Sequence, residues 1–126
     1  MNKYGEVAII VANNFEDSDN AIKDAWVKVC EKVFSNSPSS IKKSCPKDTF
    51  LGLCEGGLVK NIPKGNYTRS IKNKKYAIIA VKILKENPSY SNNKNTLWKK
   101  VAGKNKTHNS QMDVVIALYK NNLLNI

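Results

Sequence analysis

Two stretches of this chain repeat one another at fixed offsets, and that repetition constrains the fold more than any other feature. An offset of 65 carries CPKDTFLGLCEGGLV (45–59) onto SQMDVVIALYKNNLL (110–124). Asp48 falls on Asp113, Leu53 on Leu118, Gly56-Gly57 on Asn121-Asn122, and Leu58-Val59 on Leu123-Leu124. Glycine and asparagine best tolerate the left-handed backbone that follows a helix end. Both stretches therefore read as a short capped helix, a stop and an apolar exit. Upstream, an offset of 72 carries Lys3-Tyr4 onto Lys75-Tyr76, Ala8 onto Ala80, and Trp26-x-Lys28-Val29 onto Trp98-x-Lys100-Val101. The tyrosine-to-tryptophan spacing is 22 residues in both halves. The segment between tryptophan and third helix is seven residues longer in the first half. The expectation is an all-α protein of about six helices. They form two tandem, pseudo-symmetric three-helix units, 1–62 and 72–126, that share one core in a single domain, 1–126.

Periodicity sets the elements. Val7, Ile10, Val11 and Phe15 stand at helical spacing from Tyr4 on, and Glu16 to Asn20 breaks that helix. Ile22, Ala25, Trp26, Val29, Cys30, Val33 and Phe34 form a stripe over about 20–35, with Trp26 as a core anchor. SNSPSS (35–40) reads as a loop. The third helix begins at Pro46, with Phe50, Leu51, Leu53 and Cys54 on its apolar face, and stops at Gly56-Gly57. LVKNIPKGNY (58–67) follows and is extended, as at the end of a winged helix-turn-helix unit, with at most a short strand pair, and a basic connector joins the two units. The second copy starts near Asn73 and stops at Asn87-Pro88. A loop over Ser91–Lys94 and a short helix over about 94–102 follow. Ser110-x-x-Asp113 offers a capping box for the last helix.

CPKDTFLGLCEGGLVKNIPKGNYTRS, with LWKKV and HNSQMDVVIALY further on, resembles a domain-of-unknown-function family of small bacterial and phage proteins. The resemblance covers nearly the whole chain. It implies a stand-alone cytoplasmic protein, and it carries over no activity, catalytic residue or cofactor.

Charge is divided unevenly. Residues 1–40 hold four lysines against six acids, a net −2, while residues 41–126 hold 17 basic residues against four acids, a net +13. Such an excess suits a polyanionic partner. Arg69 is the sole arginine. Arginine is the bidentate reader of guanine, so its scarcity argues against base-specific readout more than against phosphate contact. No run of about 18 apolar residues exists to span a membrane, and no secretory leader pattern opens the chain. Three cysteines, Cys30, Cys45 and Cys54, read as free thiols in a reducing cytosol.

Catalytic and metal signals are absent. There is no glycine-rich phosphate loop, no paired-carboxylate motif and no spaced Cys/His cluster, so the reading is non-enzymatic, without metal or cofactor. His108, the only histidine, reads as a solvated or capping residue of a polar loop. In both halves a lysine-bearing loop precedes the third helix: Lys42, Lys43 and Lys47 in one, Lys104 and Lys106 in the other. Helix N-termini favour anions, and lysine beside them suits phosphate. The first reading is therefore a nucleic-acid-binding module. Lys64 and Arg69 serve as further phosphate contacts, and Tyr67 is a ring on which an exposed base stacks. The second reading is a protein-interaction or regulatory factor for an acidic partner, or one that self-associates.

Overall fold

The computed structural model describes residues 2–15, 22–35 and 37–126. The predicted break at Glu16 to Asn20, and the first two residues of the predicted second helix, lie outside them. The described chain is helical: α1 (Lys3–Asn14), α2 (Ile22–Val33), α3 (Pro38–Lys42), α4 (Ser44–Glu55), α5 (Ile71–Glu86), α6 (Lys94–Ala102) and α7 (Gln111–Lys120). A 3-10 turn, Pro88–Asn92, joins α5 to α6. Six of the helices have nine residues or more, in line with the expected all-α fold.

Local chemistry sets the boundaries. Asn2 caps α1 by accepting the Tyr4 and Gly5 N–H groups at 2.8 and 3.2 Å, and Ser70 caps α5 by accepting from Asn73 N–H at 3.2 Å. The α5 start is thus two residues earlier than the sequence suggested. α4 also begins two residues early, at Ser44. Pro46 is tolerated in its first turn because the first four N–H groups of a helix have no partner in any case. SNSPSS is not all loop: Pro38 opens the five-residue α3. The predicted capping box of the last helix does not form, because Ser110 is left-handed at φ 67° and its side chain makes no cap bond.

Every long helix feeds one core. Trp26 of α2 is fully buried, with its ring 5.2 Å from that of Phe50 of α4. Trp98 of α6 is buried under Tyr76 of α5, edge to face at 5.1 Å. α4 packs chiefly on α5, and α7 on α1. Both crossings are tight: a Cβ on Gly52 would lie 2.7 Å from Lys74 Cα, and one on Gly5 would lie 2.8 Å from Ala117 Cβ.

The extended segment after α4 does not fold back into a hairpin. Among the described residues its backbone pairing is a lone antiparallel bridge between Val59 and Leu124. Lys60 N–H donates to the Leu123 carbonyl at 2.8 Å, and Asn125 N–H donates to the Leu58 carbonyl, also at 2.8 Å. The two α-helix exits match: Leu58 N–H reaches Leu53 O and Leu123 N–H reaches Leu118 O, with Gly57 and Asn122 both at positive φ. Every one of these pairs is related by the 65-residue offset.

Candidate anion-binding surface

The four acids of residues 41–126 bear on what the lysines are free to do. Three of them are engaged inside the molecule. Asp48 Oδ1 accepts from the Thr68 hydroxyl at 2.9 Å. Glu55 Oε1 accepts from Tyr67 N–H at 2.8 Å and Thr68 N–H at 3.3 Å, while its Oε2 takes Lys74 Nζ at 2.6 Å. Lys74 foremost, then the Tyr67 amide, hold the Glu55 carboxyl below its usual range. Asp113 pairs with Lys94 at 3.1 Å. Asp48 and Glu55 are seven residues apart on one face of α4, so they fasten the basic connector along that helix. Lys74–Glu55 and Lys94–Asp113 are the ion pairs among the described residues, so most of the lysines have no carboxylate partner.

Several of these lysines gather where the N-terminal ends of α4, α5 and α7 meet. Lys43 lies between α3 and α4, with Nζ 5.8 Å from the Tyr4 ring centre. It is close enough to His108 to bear on its protonation, as is Lys94. Lys72, in the first turn of α5, has Nζ 6.0 Å over the Tyr76 ring. Its ammonium meets that of Lys106, from the loop before α7. The Lys72 ammonium beside it lowers the Lys106 pKa, as one positive charge does to another close by. Cys45 of α4 lies near Lys72. The loop that presents Lys106 is fixed from below, because Trp98 Nε1 donates to the Lys106 carbonyl at 2.8 Å.

His108 is a capping residue, half-buried against the Trp98 ring at 5.4 Å. Its Nε2 accepts Met112 N–H at 3.2 Å, and Ser110 N–H approaches Nδ1 at 3.4 Å. It thus performs the cap that Ser110 does not. Burial lowers its pKa first of all, against the opposing pull of Asp113. Gln111, buried, accepts Asn109 N–H at 2.6 Å and reaches Asn73 of α5 at 3.4 Å, tying the α7 start to the α5 start.

Of the predicted site residues, Lys43 and Lys106 thus enter one neighbourhood. Lys42 and Lys104 are exposed on the flanking α3 and loop. Lys47 stands near Cys30 of α2 instead. Lys64 packs over Gly57 at the far end of α4, roughly 18 Å along a twelve-residue helix. Tyr67 folds onto its own loop, donating to Pro63 O at 2.6 Å with its ring over Gly65. Arg69 is exposed just before α5. Lys72 and Lys94 were missed. The Ser70-x-x-Asn73 cap signal marks Lys72 as a first-turn residue, whereas the Lys72–Lys106 meeting depends on packing between distant segments.

A family model described as a family of unknown function (DUF6979) matches residues 1–125. The chain belongs to that family. No curated protein and no solved structure matches it. The site in this DUF6979 chain is therefore read from its own geometry. Among the described residues no three His, Cys, Asp or Glu side chains gather as a metal ion needs, and no helix is long and apolar enough to cross a membrane.

Proposed function

We propose that this protein is a small, cytoplasmic, non-enzymatic binding module that grips nucleic-acid phosphates through lysines collected at the α4, α5 and α7 N-termini. The carrying observation is the meeting of Lys72 and Lys106 with Lys43 nearby, while the neighbouring acid, Asp113, is engaged by Lys94. Two ammonium groups pressed together are a poor arrangement in water and a favourable one around a phosphate oxygen. Lysines act as point charges without bidentate geometry, so binding is weakly sequence-dependent. His108 supports the non-enzymatic reading, since its Nε2 accepts the Met112 N–H in the first turn of α7. A second reading, a factor for an acidic protein partner, rests on a different surface, the outer face of α5.

The test is a salt titration of duplex and single-stranded DNA. Log affinity falls by about 0.9 for each phosphate neutralised on duplex. Replacing Lys42, Lys43, Lys104 and Lys106 with alanine flattens that slope without unfolding the protein, and adding Lys72→Ala flattens it further. No binding by the wild type at low salt, or equal slopes for wild type and variants, removes the proposal.

A further inference from the structure

α5 has two apolar faces, and the core covers one of them. Ala77, Ala80, Val81 and Leu84 point inward and are buried. On the opposite side, Ile71, Lys74, Lys75, Ile78, Ile79 and Lys82 stand at i, i+3, i+4, i+7, i+8 and i+11, a single stripe along the helix. They line an open groove of about 460 Å³. Ile71 is 83% exposed, and Ile78 and Ile79 are half-buried. Isolated exposed apolar residues are ordinary, but an aligned stripe walled by lysine is a recognition surface. On the groove's inner wall Lys74 is paired with Glu55 at 2.6 Å. Lys75 and Lys82 have no ion pair among the described residues. At roughly 100° per residue Lys72 stands about 90° round the helix from the stripe's centre, so the groove adjoins the lysine cluster without including Lys72.

We propose that the α5 groove docks an acidic amphipathic helix of a partner protein. The stripe runs straight for about 16 Å, three turns of a facing helix. A partner helix fills such a groove with apolar residues at i, i+3 or i+4, and i+7. Lysines on the rim select glutamate or aspartate beside those anchors and reject basic helices. A second copy of this chain is a poor occupant. The chain carries net charge +11, and its described helices have no acidic face: α2 alternates Lys23, Asp24, Lys28, Glu31 and Lys32. The proposal does not rest on the nucleic-acid reading.

The experiment uses the full chain and a synthetic helical peptide with leucines at i, i+3 and i+7 flanked by glutamates. A scrambled peptide of the same composition is the control, and binding is followed by fluorescence anisotropy and by the peptide's circular dichroism. The ordered peptide binds and gains helicity, and the scrambled one binds at least about tenfold more weakly. The double variant Ile71→Ser/Ile78→Ser loses the ordered peptide by about tenfold or more yet keeps its duplex-DNA salt slope, since neither residue is in the core. Lys75→Glu/Lys82→Glu loses the acidic peptide and gains a lysine-flanked version of it. Equal binding of ordered and scrambled peptides reduces the effect to charge attraction and overturns the proposal. It is also overturned if sedimentation finds a wild-type dimer that the isoleucine variant dissolves, or if duplex DNA displaces the peptide from the isoleucine-dependent site.

Discussion

Gly52→Ala tests the crossing on which both surfaces depend. Gly52 lies inside α4, where alanine normally gains about 1 kcal/mol over glycine from helix propensity. Here the added Cβ would stand 2.7 Å from Lys74 Cα and 2.8 Å from Lys74 Cβ. Carbon atoms rest at about 3.5–4.0 Å, so α5 must withdraw by about 1 Å. The obstacle is backbone, which cannot rotate aside as the tip of a side chain does. Overpacking of this kind costs about 1–3 kcal/mol. The expected net effect is therefore a loss of up to about 2 kcal/mol, where propensity alone would give a gain of about 1 kcal/mol.

The assay is equilibrium urea unfolding, read as the midpoint at constant m. Gly56→Ala is the internal control. Its φ of −78° is ordinary, and its nearest neighbours would be carbonyl oxygens at 3.7 Å, so it should stay within about 0.5 kcal/mol of wild type. A Gly52→Ala protein more stable than wild type by the roughly 1 kcal/mol of propensity alone refutes the close α4–α5 approach. The substitution also bears on function. A retreating α5 strains the Lys74–Glu55 pair that walls the groove.

Trp26→Ala should cost about 3–5 kcal/mol, because a fully buried ring against Phe50 leaves a cavity that the helices cannot close; a loss below about 1 kcal/mol in the same urea assay would make the ring peripheral. His108 has a folded pKa below its unfolded value, so the unfolded chain takes up its proton first. Stability is therefore fully present above about 6.5 and declines as pH falls from there towards the folded pKa. The urea midpoint measured over this window should fall less for His108→Gln than for wild type, and parallel profiles would show that the ring is not buried as described.

Much of the fold was legible because most of the long helices have one continuous apolar stripe. α1, α2, α6 and α7 fall within a few residues of the periodic segments. The short elements were not legible. α3 buries no residue, so SNSPSS carries no periodic signal, and only Pro38 at a first helical position marks it. The capping box failed for a tertiary reason. His108 stacks on Trp98, takes the Met112 N–H and leaves Ser110 in a left-handed turn. The early start of α5 was hidden because Ile71 and Lys72 face outward, off the core stripe. At the site, the loops bearing Lys43 and Lys106 could be read from sequence order. What could not be read is which acids are already engaged. Asp48, Glu55 and Asp113 look like surface charges in the sequence, and only packing shows them tied to Thr68, Lys74 and Lys94.

The last prediction concerns the two halves, which we propose descend from one duplicated three-helix unit. The reciprocal pair Lys60–Leu123 and Asn125–Leu58 supports this, since each bond maps onto the other under the 65-residue offset. So does the exchange in packing: α4 of the first half rests on α5 of the second, and α7 of the second rests on α1 of the first. An exchange of this kind means that each third helix has the first helix of the other half as its principal partner. Alone, fragment 1–64 would leave the Gly52 face of α4 and the Gly5 face of α1 without the helices that fill them. Fragment 65–126 would leave Ala117 of α7 and the inner face of α5 in water. Cutting between Lys64 and Gly65, in a connector whose Pro63, Lys64 and Asn66 are exposed, removes one peptide bond and no core contact. Each fragment should then show little helix by circular dichroism, and an equimolar mixture should recover the helical signal with one cooperative transition. A fragment that folds by itself would show that its unit closes its own core, and the exchanged crossings would then be a contact between two finished domains.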